Sequence, residues 1–278
     1  MIGQLLTGRY LILQALGKGG FSETFLARDK YLPHHPLCVV KCLKSLPFEV
    51  ARRMFDTEAQ ALQELGRQCE QIPLLLARFE IGDRAYLVQE YVEGENLEHW
   101  LDQGRRFSQK DVVCLLLDIL PILEFIHSQD LIHRDIKPGN LIRRTDGKIV
   151  LIDFGAAKWL NNDSAVIEEK QSPSDSTTEA IVTIGTPGYM PEEQQQGQAD
   201  FSSDLYSLGV SVIQLLTGIH PRQFKKNLSS NEIEWESYLK TSLDSYLVTI
   251  LNKLVRANRK DRYWQPSEVL VDLRQSTK

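Results

Sequence analysis

The spacing of apolar residues changes part-way along the chain, and this change constrains the fold more than any other feature. Residues 10–45 alternate short apolar runs with turn signals, in the order YLILQAL, GKGG, FLAR, LPHHP and CVVKCL. Such alternation predicts a strand–turn–strand–turn–strand meander with antiparallel pairing. Residues 48–66 instead repeat apolar residues at three- and four-residue steps and end in glycine, which predicts a helix.

The later part of the chain is mostly helical in pattern. Two more strand-like runs, LLLARFEIG and RAYLVQEYV, come first, and after Gly94 the helical segments NLEHWLDQG and VVCLLLDILPILEFIHSQ follow. The run KIVLIDFG predicts a strand, residues 203–219 and 243–256 predict buried helices, and PSEVLVDLRQS predicts a last helix capped near Ser267. We therefore expect an α+β chain with two lobes: an antiparallel β-sheet lobe with one main helix, and a mostly helical lobe.

Composition argues against nucleic-acid and membrane partners. The 278 residues are 42% hydrophobic and carry a net charge of −5, so there is no basic excess to attract polyanions. No apolar run reaches the roughly 18–20 residues of a membrane span, and the first residues lack the pattern of a signal peptide. The cysteines form no CxxC pair and are typical of reduced thiols. We expect a cytoplasmic protein that binds no nucleic acid and spans no membrane.

The stretch LIHRDIKPGNLI, residues 131–142, places polar chemistry between two apolar pairs that predict buried anchors. A turn alone does not require a carboxylate, an ammonium and an amide within a short run. The expected ligand is therefore polar and multiply charged. The side chains concerned are His133, Arg134, Asp135, Lys137 and Asn140.

Other segments have features suited to binding phosphate. LGKGGFSETFLA places Gly17, Gly19 and Gly20 between two strands, where backbone N–H groups can approach phosphate oxygens. A glycine-rich hairpin is often only a hairpin, and a Walker A loop is excluded because no GK[ST] follows. Lys41, in CVVKCL, could extend to solvent from a sheet edge. If it pairs with Glu58 of the following helix, its ammonium would instead be held within reach of a nucleotide's phosphates.

Asp153 ends the apolar run in LIDFG, where its carboxylate could bind Mg²⁺, a cation that prefers oxygen ligands. Taken alone, DFG could be an ordinary turn. It comes 18 residues after Asp135 and 13 after Asn140, a spacing that leaves room for one hairpin. The order glycine loop, lysine, glutamate, HRDxKxxN and DFG is a much more specific signal than any of its parts.

In this order the motifs resemble the eukaryotic-like (Hanks-type) serine/threonine protein kinases, from about Tyr10 to Arg274. The resemblance implies a bilobal protein-kinase fold in a single domain over residues 1–278, with an N-lobe at 8–92 and the hinge and C-lobe at 93–274. The wording of HRDIKPGNLI and GTPGYMPEEQ resembles bacterial, in particular cyanobacterial, members. Lys137 and Thr186 favour Ser/Thr over Tyr as the acceptor.

The resemblance also implies roles for single residues. Asp135 would accept the proton of the substrate hydroxyl, and Lys137 would steady the transferring phosphoryl group. Lys41 and Glu58 would form the activating ion pair. A metal ion, Mg²⁺ or alternatively Mn²⁺, would be held by Asn140 and Asp153.

A larger set is implied to bind ATP. Within it, Gln89 would be the gatekeeper, and backbone groups of Glu90 and Val92 would bind adenine at the hinge. The whole set is Leu16, Gly17, Lys18, Gly19, Gly20, Thr24, Val39, Lys41, Gln89, Glu90, Val92, Asn140, Ile142 and Asp153.

Three structural relations complete the resemblance. Asp204, in SSDLYSLGV, would anchor the catalytic loop from a buried helix. MPE stands where APE is usual, so Glu192 would pair with Arg262. An apolar column through the lobes would be formed by Leu62, Leu75, His133 and Phe154.

The sequence departs from the family pattern at the nucleotide loop and in the catalytic loop. Ser22 replaces the third glycine, Val39 a usual alanine and Thr24 a usual valine, which together could reshape nucleotide binding. Gly139 replaces the glutamate common in KPEN, which leaves a preference for basic substrates open.

Residues 161–183 are rich in Ser and Thr and lie where the family has its activation loop. One interpretation is a solvated, unregulated loop. The other is phosphorylation at Thr177, Thr178, Thr183 or a nearby serine, with the new charge bound by Arg134.

Two other functions are open alternatives. A pseudokinase would bind nucleotide without turnover, but it predicts the loss of Lys41, Asp135, Asn140 or Asp153, and all four are present. A small-molecule phosphotransferase of related fold would lack the GTPGYMPE segment. We expect a non-specific serine/threonine protein kinase that transfers the γ-phosphoryl group of ATP to protein substrates. A second kinase copy or a regulatory partner is a further expectation.

Overall fold

The computed structural model of the chain describes residues 1–19, 22–43, 49–160 and 184–275. The chain divides into two compact units. The first consists of Met1–Arg105 and Pro138–Ala156, and the second of Arg106–Lys137 and Ala157–Lys278. The division into an N-lobe and a C-lobe near residue 92 stays a prediction.

The secondary-structure elements are numbered here in chain order. The strands are β1 (Leu5–Leu6), β2 (Tyr10–Lys18), β3 (Ser22–Asp29), β4 (Leu37–Leu43), β5 (Leu75–Ile81), β6 (Arg84–Glu90), β7 (Gly94–Asn96), β8 (Leu131–Ile132), β9 (Leu141–Arg144), β10 (Ile149–Leu151), β11 (Lys158–Trp159), β12 (Lys225–Lys226) and β13 (Ile233–Glu234). The α-helices are α1 (Glu49–Leu65), α2 (Leu97–Asp102), α3 (Gln109–Ser128), α4 (Glu192–Gln195), α5 (Phe201–Thr217), α6 (Ser245–Leu254) and α7 (Pro266–Gln275).

The first unit is built on a six-stranded sheet in the order β1-β2-β3-β4-β6-β5, with every neighbouring pair antiparallel. Strands β2, β3 and β4 are the meander predicted from residues 10–45. Strands β5 and β6 coincide with the two further runs, LLLARFEIG and RAYLVQEYV. These predictions are confirmed.

Alternation along β4 decides which side chains enter the core. Cys38, Val40 and Cys42 are buried in the apolar cluster of the sheet. Successive side chains of a strand point to opposite faces, so Val39 and Lys41 lie on the other face. The strand can therefore fill the core and still present an ammonium away from it.

Helix α1 packs against β4, β5 and β6 through one face, and confirms the helix predicted at 48–66. The buried residues of this face recur at three- and four-residue steps, which is the periodicity of an amphipathic helix. They are Ala51, Phe55, Glu58, Ala59, Ala61, Leu62 and Leu65. Among them only Glu58 is charged.

A smaller sheet, in the order β10-β9-β7, completes the first unit. Helix α2 follows β7 directly, and the side chain of Asn96 caps it by accepting from the N–H groups of Glu98 and His99. The amide of Asn96 also donates to the carbonyl of Gly139 at 2.7 Å. This contact fixes the short 3₁₀ turn Pro138–Asn140 beside α2.

The second unit is a helical assembly around α5. Nearly every residue of α5 is buried, including polar ones such as Asp204, Ser207 and Gln214. Helix α3 packs against α5 and α7 and begins with a capping box made by Ser108 and Asp111. Helix α7 begins at Pro266, so Ser267 lies in its first turn, where its N–H donates to Glu124. In the described ranges, no helix is long and apolar enough to cross a membrane.

A close approach of backbone at Gly66, just after α1, gives the first testable prediction. A Cβ added there would lie 2.5 Å from the carbonyl oxygen of Pro73 and 2.8 Å from that of Leu62. The Gly66→Ala variant should therefore lose about 1–3 kcal/mol of unfolding free energy, measured by urea denaturation. Gly17→Ala is the control, because a Cβ at Gly17 meets nothing within 4 Å. Equal losses of unfolding free energy in both variants would show that the close approach of the backbone at Gly66 does not exclude a side chain.

Candidate active site

Three charged residues from separate elements meet in the first unit. The ammonium of Lys41, on β4, lies 2.6 Å from Oε2 of Glu58, on α1. It also lies 2.8 Å from Oδ1 of Asp153, two residues beyond the end of β10. The Lys41 and Glu58 side chains are only 14% and 2% exposed, whereas that of Asp153 is 43% exposed. The ammonium of Lys41, with the partly exposed carboxylate of Asp153 beside it, can bind a polyanion together with its counter-ion.

The charges at this site depend on one another. Burial alone would lower the pKa of Lys41, but the carboxylates of Asp153 and Glu58 outweigh it and raise the pKa above its usual value. Burial raises the pKa of Glu58 to about 7, against the opposing effect of Lys41. Lys41 is therefore an ammonium at neutral pH, held in place from two sides.

The backbone around Asp153 is unusual and closely packed. Asp153 has φ +63°, in the left-handed region that few residues with a Cβ adopt. The N–H of Gly155 donates to Oδ1 of Asp153 at 3.3 Å, and a Cβ on Gly155 would lie 3.2 Å from that oxygen. The turn Phe154–Ala156 packs against α1. A glycine at position 155 thus lets the carboxylate turn toward Lys41.

Asn140 and Asp153 have the chemistry required of ligands for a hard divalent cation. Asn140 is buried, and its carbonyl accepts from the N–H of Ile152 at 3.0 Å, which joins the two backbone segments. Both side chains carry oxygen donors, the kind that Mg²⁺ prefers. Within the described ranges, no group of three or more His, Cys, Asp or Glu could hold a metal alone. The oxygen atoms of these two side chains therefore fit a hard divalent cation.

The glycine-rich segment forms the β2–β3 hairpin, as predicted. Gly17 pairs with Thr24 across the hairpin, and the N–H of Gly19 donates to the carbonyl of Ser22 at 2.8 Å. Lys18 and Leu16 lie on β2 and are exposed. Gly20 lies outside the described residues.

The remaining residues of the predicted nucleotide set also lie in the first unit. Val39 on β4 is the register partner of Gln89 on β6. Gln89 is 9% exposed, and its Oε1 has no hydrogen-bond partner among the described atoms. Glu90 ends β6, Val92 follows it, and Ile142 lies on β9.

A second cluster of polar side chains lies in the second unit, around Asp135. Its Oδ2 lies 2.8 Å from the ammonium of Lys137, and its Oδ1 accepts from the hydroxyl of Thr186 at 2.6 Å. Lys137 also donates to the hydroxyl of Thr186 at 2.7 Å. The contact with Thr186 shows that this carboxylate can hold an aliphatic alcohol at hydrogen-bond distance. That is the geometry a general base requires.

Asp204 fixes the backbone that precedes Asp135. Its carboxylate is fully buried on α5 and accepts from the N–H groups of His133 at 2.9 Å and Arg134 at 2.8 Å. It also lies 2.9 Å from Nε2 of His127. Burial alone would raise the pKa of Asp204, but these donors hold it below its usual value. The predicted anchoring of the loop from a buried helix is confirmed.

Comparison with known proteins agrees with this geometry. The profile of the protein kinase domain matches residues 10–270. The chain belongs to the protein kinase family. The predicted Hanks-type family and the protein-kinase fold are thereby confirmed.

Three curated relatives of this kinase domain come from cyanobacteria, in line with the predicted origin. It is 41% identical over 273 residues to serine/threonine-protein kinase PknA of Nostoc sp., covering 96% of this chain and 47% of the relative. It is 41% identical over 278 residues to serine/threonine-protein kinase B of Synechocystis sp., covering 98% of this chain and 47% of the relative. Serine/threonine-protein kinase C of Synechocystis sp. is 42% identical over 267 residues, covering 94% and 48%. The chain thus spans about half the length of these relatives.

One predicted ion pair of the kinase domain was wrong. Arg262 pairs with Glu193, at 2.6 Å and 3.2 Å from its two carboxylate oxygens, and not with Glu192. The two glutamates are neighbours on α4, and successive helical side chains point about 100° apart, so only one can reach Arg262. Glu192 is exposed, whereas Glu193 also accepts from the hydroxyl of Ser203 at 3.0 Å.

Gln194 has a position in the kinase domain that sequence analysis did not predict. It is 4% exposed, and its Nε2 donates to the carbonyls of Arg134 at 2.6 Å and Ile184 at 3.1 Å. Gly185 makes room for this contact, because a Cβ there would lie 2.5 Å from Nε2. The sequence gives no signal that a glutamine in a short helix is buried and bonded to distant carbonyls, since most glutamines are solvated.

Some predictions for the kinase domain remain untested. The phosphorylation candidates Thr177, Thr178 and Thr183 lie outside the described residues. Leu62 and Phe154 are buried in the first unit, where Leu75 is half-buried, and His133 is buried in the second unit. The apolar column through both units stays a prediction.

The three donors at Asp204 generate a prediction for stability. In Asp204→Asn, an N–H₂ group replaces one acceptor oxygen and faces N–H donors in a buried place. We expect a loss of about 3 kcal/mol of unfolding free energy, measured by urea denaturation. Asp261→Asn is the matched control, because Asp261 is exposed. A loss no larger than that of the control would show that the buried carboxylate contributes nothing to the loop.

Proposed function

We propose that this chain is a serine/threonine protein kinase domain, which transfers the γ-phosphoryl group of ATP to Ser or Thr hydroxyls of proteins. The observation that carries the proposal is the position of the Asp135 carboxylate, in contact with both the Lys137 ammonium and the Thr186 hydroxyl. The printed names of the curated relatives support it, since each is a serine/threonine-protein kinase.

In the first unit, the proposed task is to bind ATP. The β2–β3 hairpin would bring backbone N–H groups near the phosphates, because its glycines leave no Cβ in the way. Lys41, held by Glu58 and Asp153, would bind the α and β phosphates. Val39, Gln89 and the backbone at the end of β6 would contact adenine.

Asn140 and Asp153 would hold the divalent cation, for which we propose Mg²⁺, with Mn²⁺ as the alternative. When bound, the cation neutralises charge on the phosphates and so favours transfer. The partial exposure of Asp153 suits this role, since its second carboxylate oxygen can face a ligand while Oδ1 faces Lys41.

In the second unit, Asp135 would orient the acceptor hydroxyl and take its proton. Lys137 would balance the charge of that carboxylate and of the incoming phosphoryl group. Little covalent assistance is needed, because the transition state of phosphoryl transfer is loose and depends on positioning and electrostatics. Thr186 and Lys137 also favour an aliphatic hydroxyl over a tyrosine as the acceptor.

Regulation through residues 161–183 is part of the proposal. Burial lowers the pKa of Arg134 to about 10, with Asp204 acting in the opposite direction, so the guanidinium stays charged at neutral pH. A phosphate on Thr177, Thr178 or Thr183 would be a suitable anion for it. A cytoplasmic location and a second kinase copy or regulatory partner also remain predictions.

The proposal is tested with labelled ATP and Mg²⁺, on the purified chain and on a generic protein acceptor. We expect phosphate on Ser and Thr, identified by mass spectrometry. Asp153→Ala should abolish transfer, and Asp135→Asn and Lys41→Met should reduce it by at least about 100-fold (roughly 3 kcal/mol). Lys110→Ala, an exposed change on α3, is the control. Substantial activity in Asp135→Asn would contradict the assigned base, and phosphate on small molecules alone would indicate a small-molecule phosphotransferase.

Gln194 gives a prediction about turnover. Gln194→Met keeps the length of the side chain but removes both donors, so the carbonyls of Arg134 and Ile184 lose their partner. We expect kcat to fall about tenfold (roughly 1.4 kcal/mol) while the KM for ATP stays unchanged, because the ATP-binding residues proposed above are elsewhere in the chain. Gln198→Met, at an exposed position nearby, is the control. A rise in the KM for ATP with kcat intact would refute the role of Gln194 in positioning the loops that carry Arg134 and Ile184.

A further inference from the structure

The segment that follows α5, GIHPRQFKK at residues 218–226, carries an excess of positive charge in an acidic protein. It contains one histidine, one arginine and two lysines, and no Asp or Glu occurs from Gly218 to Asn231, although the net charge of the chain is −5. All four side chains are exposed. Within the described ranges, Arg222, Lys225 and Lys226 form no ion pair. Such unpaired charge is available to a partner.

The fold holds Arg222 in place on this segment. Residues Pro221–Gln223 form a 3₁₀ turn, capped by the ring of His220, whose Nδ1 accepts from the N–H of Arg222 at 3.3 Å. Pro221 and Phe224 on either side are buried, and Phe224 packs edge-on against Tyr238 with ring centres 5.6 Å apart. The backbone of Arg222 is therefore fixed while its side chain is exposed.

Arg222 contacts the loop that carries Thr186. Its Nε donates to the carbonyl of Pro187 at 3.4 Å. Gly188 has φ +104°, and a Cβ there would lie 3.2 Å from Cγ of Arg222, so the loop approaches the stem of the side chain closely. The ring of His220 meets that of Tyr189 edge-on at 6.0 Å. Three consecutive loop residues thus contact the basic segment.

This contact places the guanidinium of Arg222 near the loop residue that is bonded to Asp135, where the hydroxyl of a substrate is proposed to bind. Thr186, whose hydroxyl bonds to Asp135, directly precedes Pro187 in the chain. Arg222 therefore contacts the residue next to the one whose hydroxyl is bound at Asp135. Each residue of an extended peptide spans at most about 3.5 Å, so residues a few positions from a bound hydroxyl are the ones expected to meet Arg222. Among the described atoms, the two terminal nitrogens of Arg222 have no protein partner. They are free to form a bidentate pair with a carboxylate.

We infer that Arg222 selects substrates with an acidic side chain within about three residues of the Ser or Thr that is phosphorylated. The inference rests on the proposed kinase function and adds the substrate class. A fixed guanidinium that projects to solvent loses little entropy when it pairs with a carboxylate, and its charge repels a basic peptide. Lys225 and Lys226 extend the positive surface, although Glu234, bonded to the amide of Asn227, lies opposite Lys225 in the hairpin.

The test is a positional peptide series with a central serine, in which each of the four residues on either side is changed in turn to Asp, Lys or Ala. We measure kcat/KM with the purified chain. We expect one or more positions within three residues of the serine to favour Asp over Lys by about tenfold. Arg222→Glu should reverse that ratio, and Arg222→Lys should keep part of it. Lys110→Ala, which removes a positive charge at an exposed position of α3, should leave the ratio unchanged.

The outcomes separate this inference from the function on which it rests. If the wild-type chain phosphorylates no serine or threonine in any peptide or protein, the proposed function fails. If it phosphorylates the series with an Asp/Lys ratio near one, the substrate preference fails while the function stands, and no variant is needed. A preference that survives in Arg222→Glu would also overturn the role of Arg222.

Discussion

The hydrogen bonds to the buried carboxylate of Asp204 are the interaction on which the loop that carries Asp135 depends. A charge removed from water is costly unless donors surround it, and three N–H groups do so here, two of them from the backbone of His133 and Arg134. Satisfying both backbone donors holds Arg134 at φ +63°, which in turn orients Asp135. The buried helix α5 thus determines the direction of a carboxylate that lies 69 positions earlier in the chain.

Further contacts build outward from this anchored loop. Gln194 donates to the carbonyls of both Arg134 and Ile184. One side chain therefore links the loop that carries Asp135 to the loop that carries Thr186. Beyond Thr186, Pro187 contacts Arg222. Hydrogen bonds therefore join these loops and Arg222, and the proposed acceptor chemistry and the inferred substrate preference both depend on them. In the first unit, an analogous constraint acts at Lys41, where two carboxylates outweigh the effect of burial.

Much of this could be predicted from the sequence because it depends on local pattern. The period of two in β4 places Lys41 on the face opposite the core, and the helical period of α1 places Glu58 on its buried face. The motif order around Asp135 and Asp153 indicated which side chains carry charge at the site. Where two adjacent residues could serve, local pattern failed: the spacing did not separate Glu192 from Glu193, and only the rotation of α4 decided it.

The sequence by itself determined the strands of the sheet and the main helices, since each is encoded in a local spacing of apolar residues, and the order of its motifs indicated the family and the residues proposed to carry the chemistry. Only the tertiary structure decided that Glu193 pairs with Arg262, 69 residues away, that Gln194 holds Arg134, 60 residues away, and that Arg222 contacts Pro187, 35 residues away. Such contacts leave no periodic trace in one sequence. They depend on how helices and loops pack, which brings distant residues within hydrogen-bond reach.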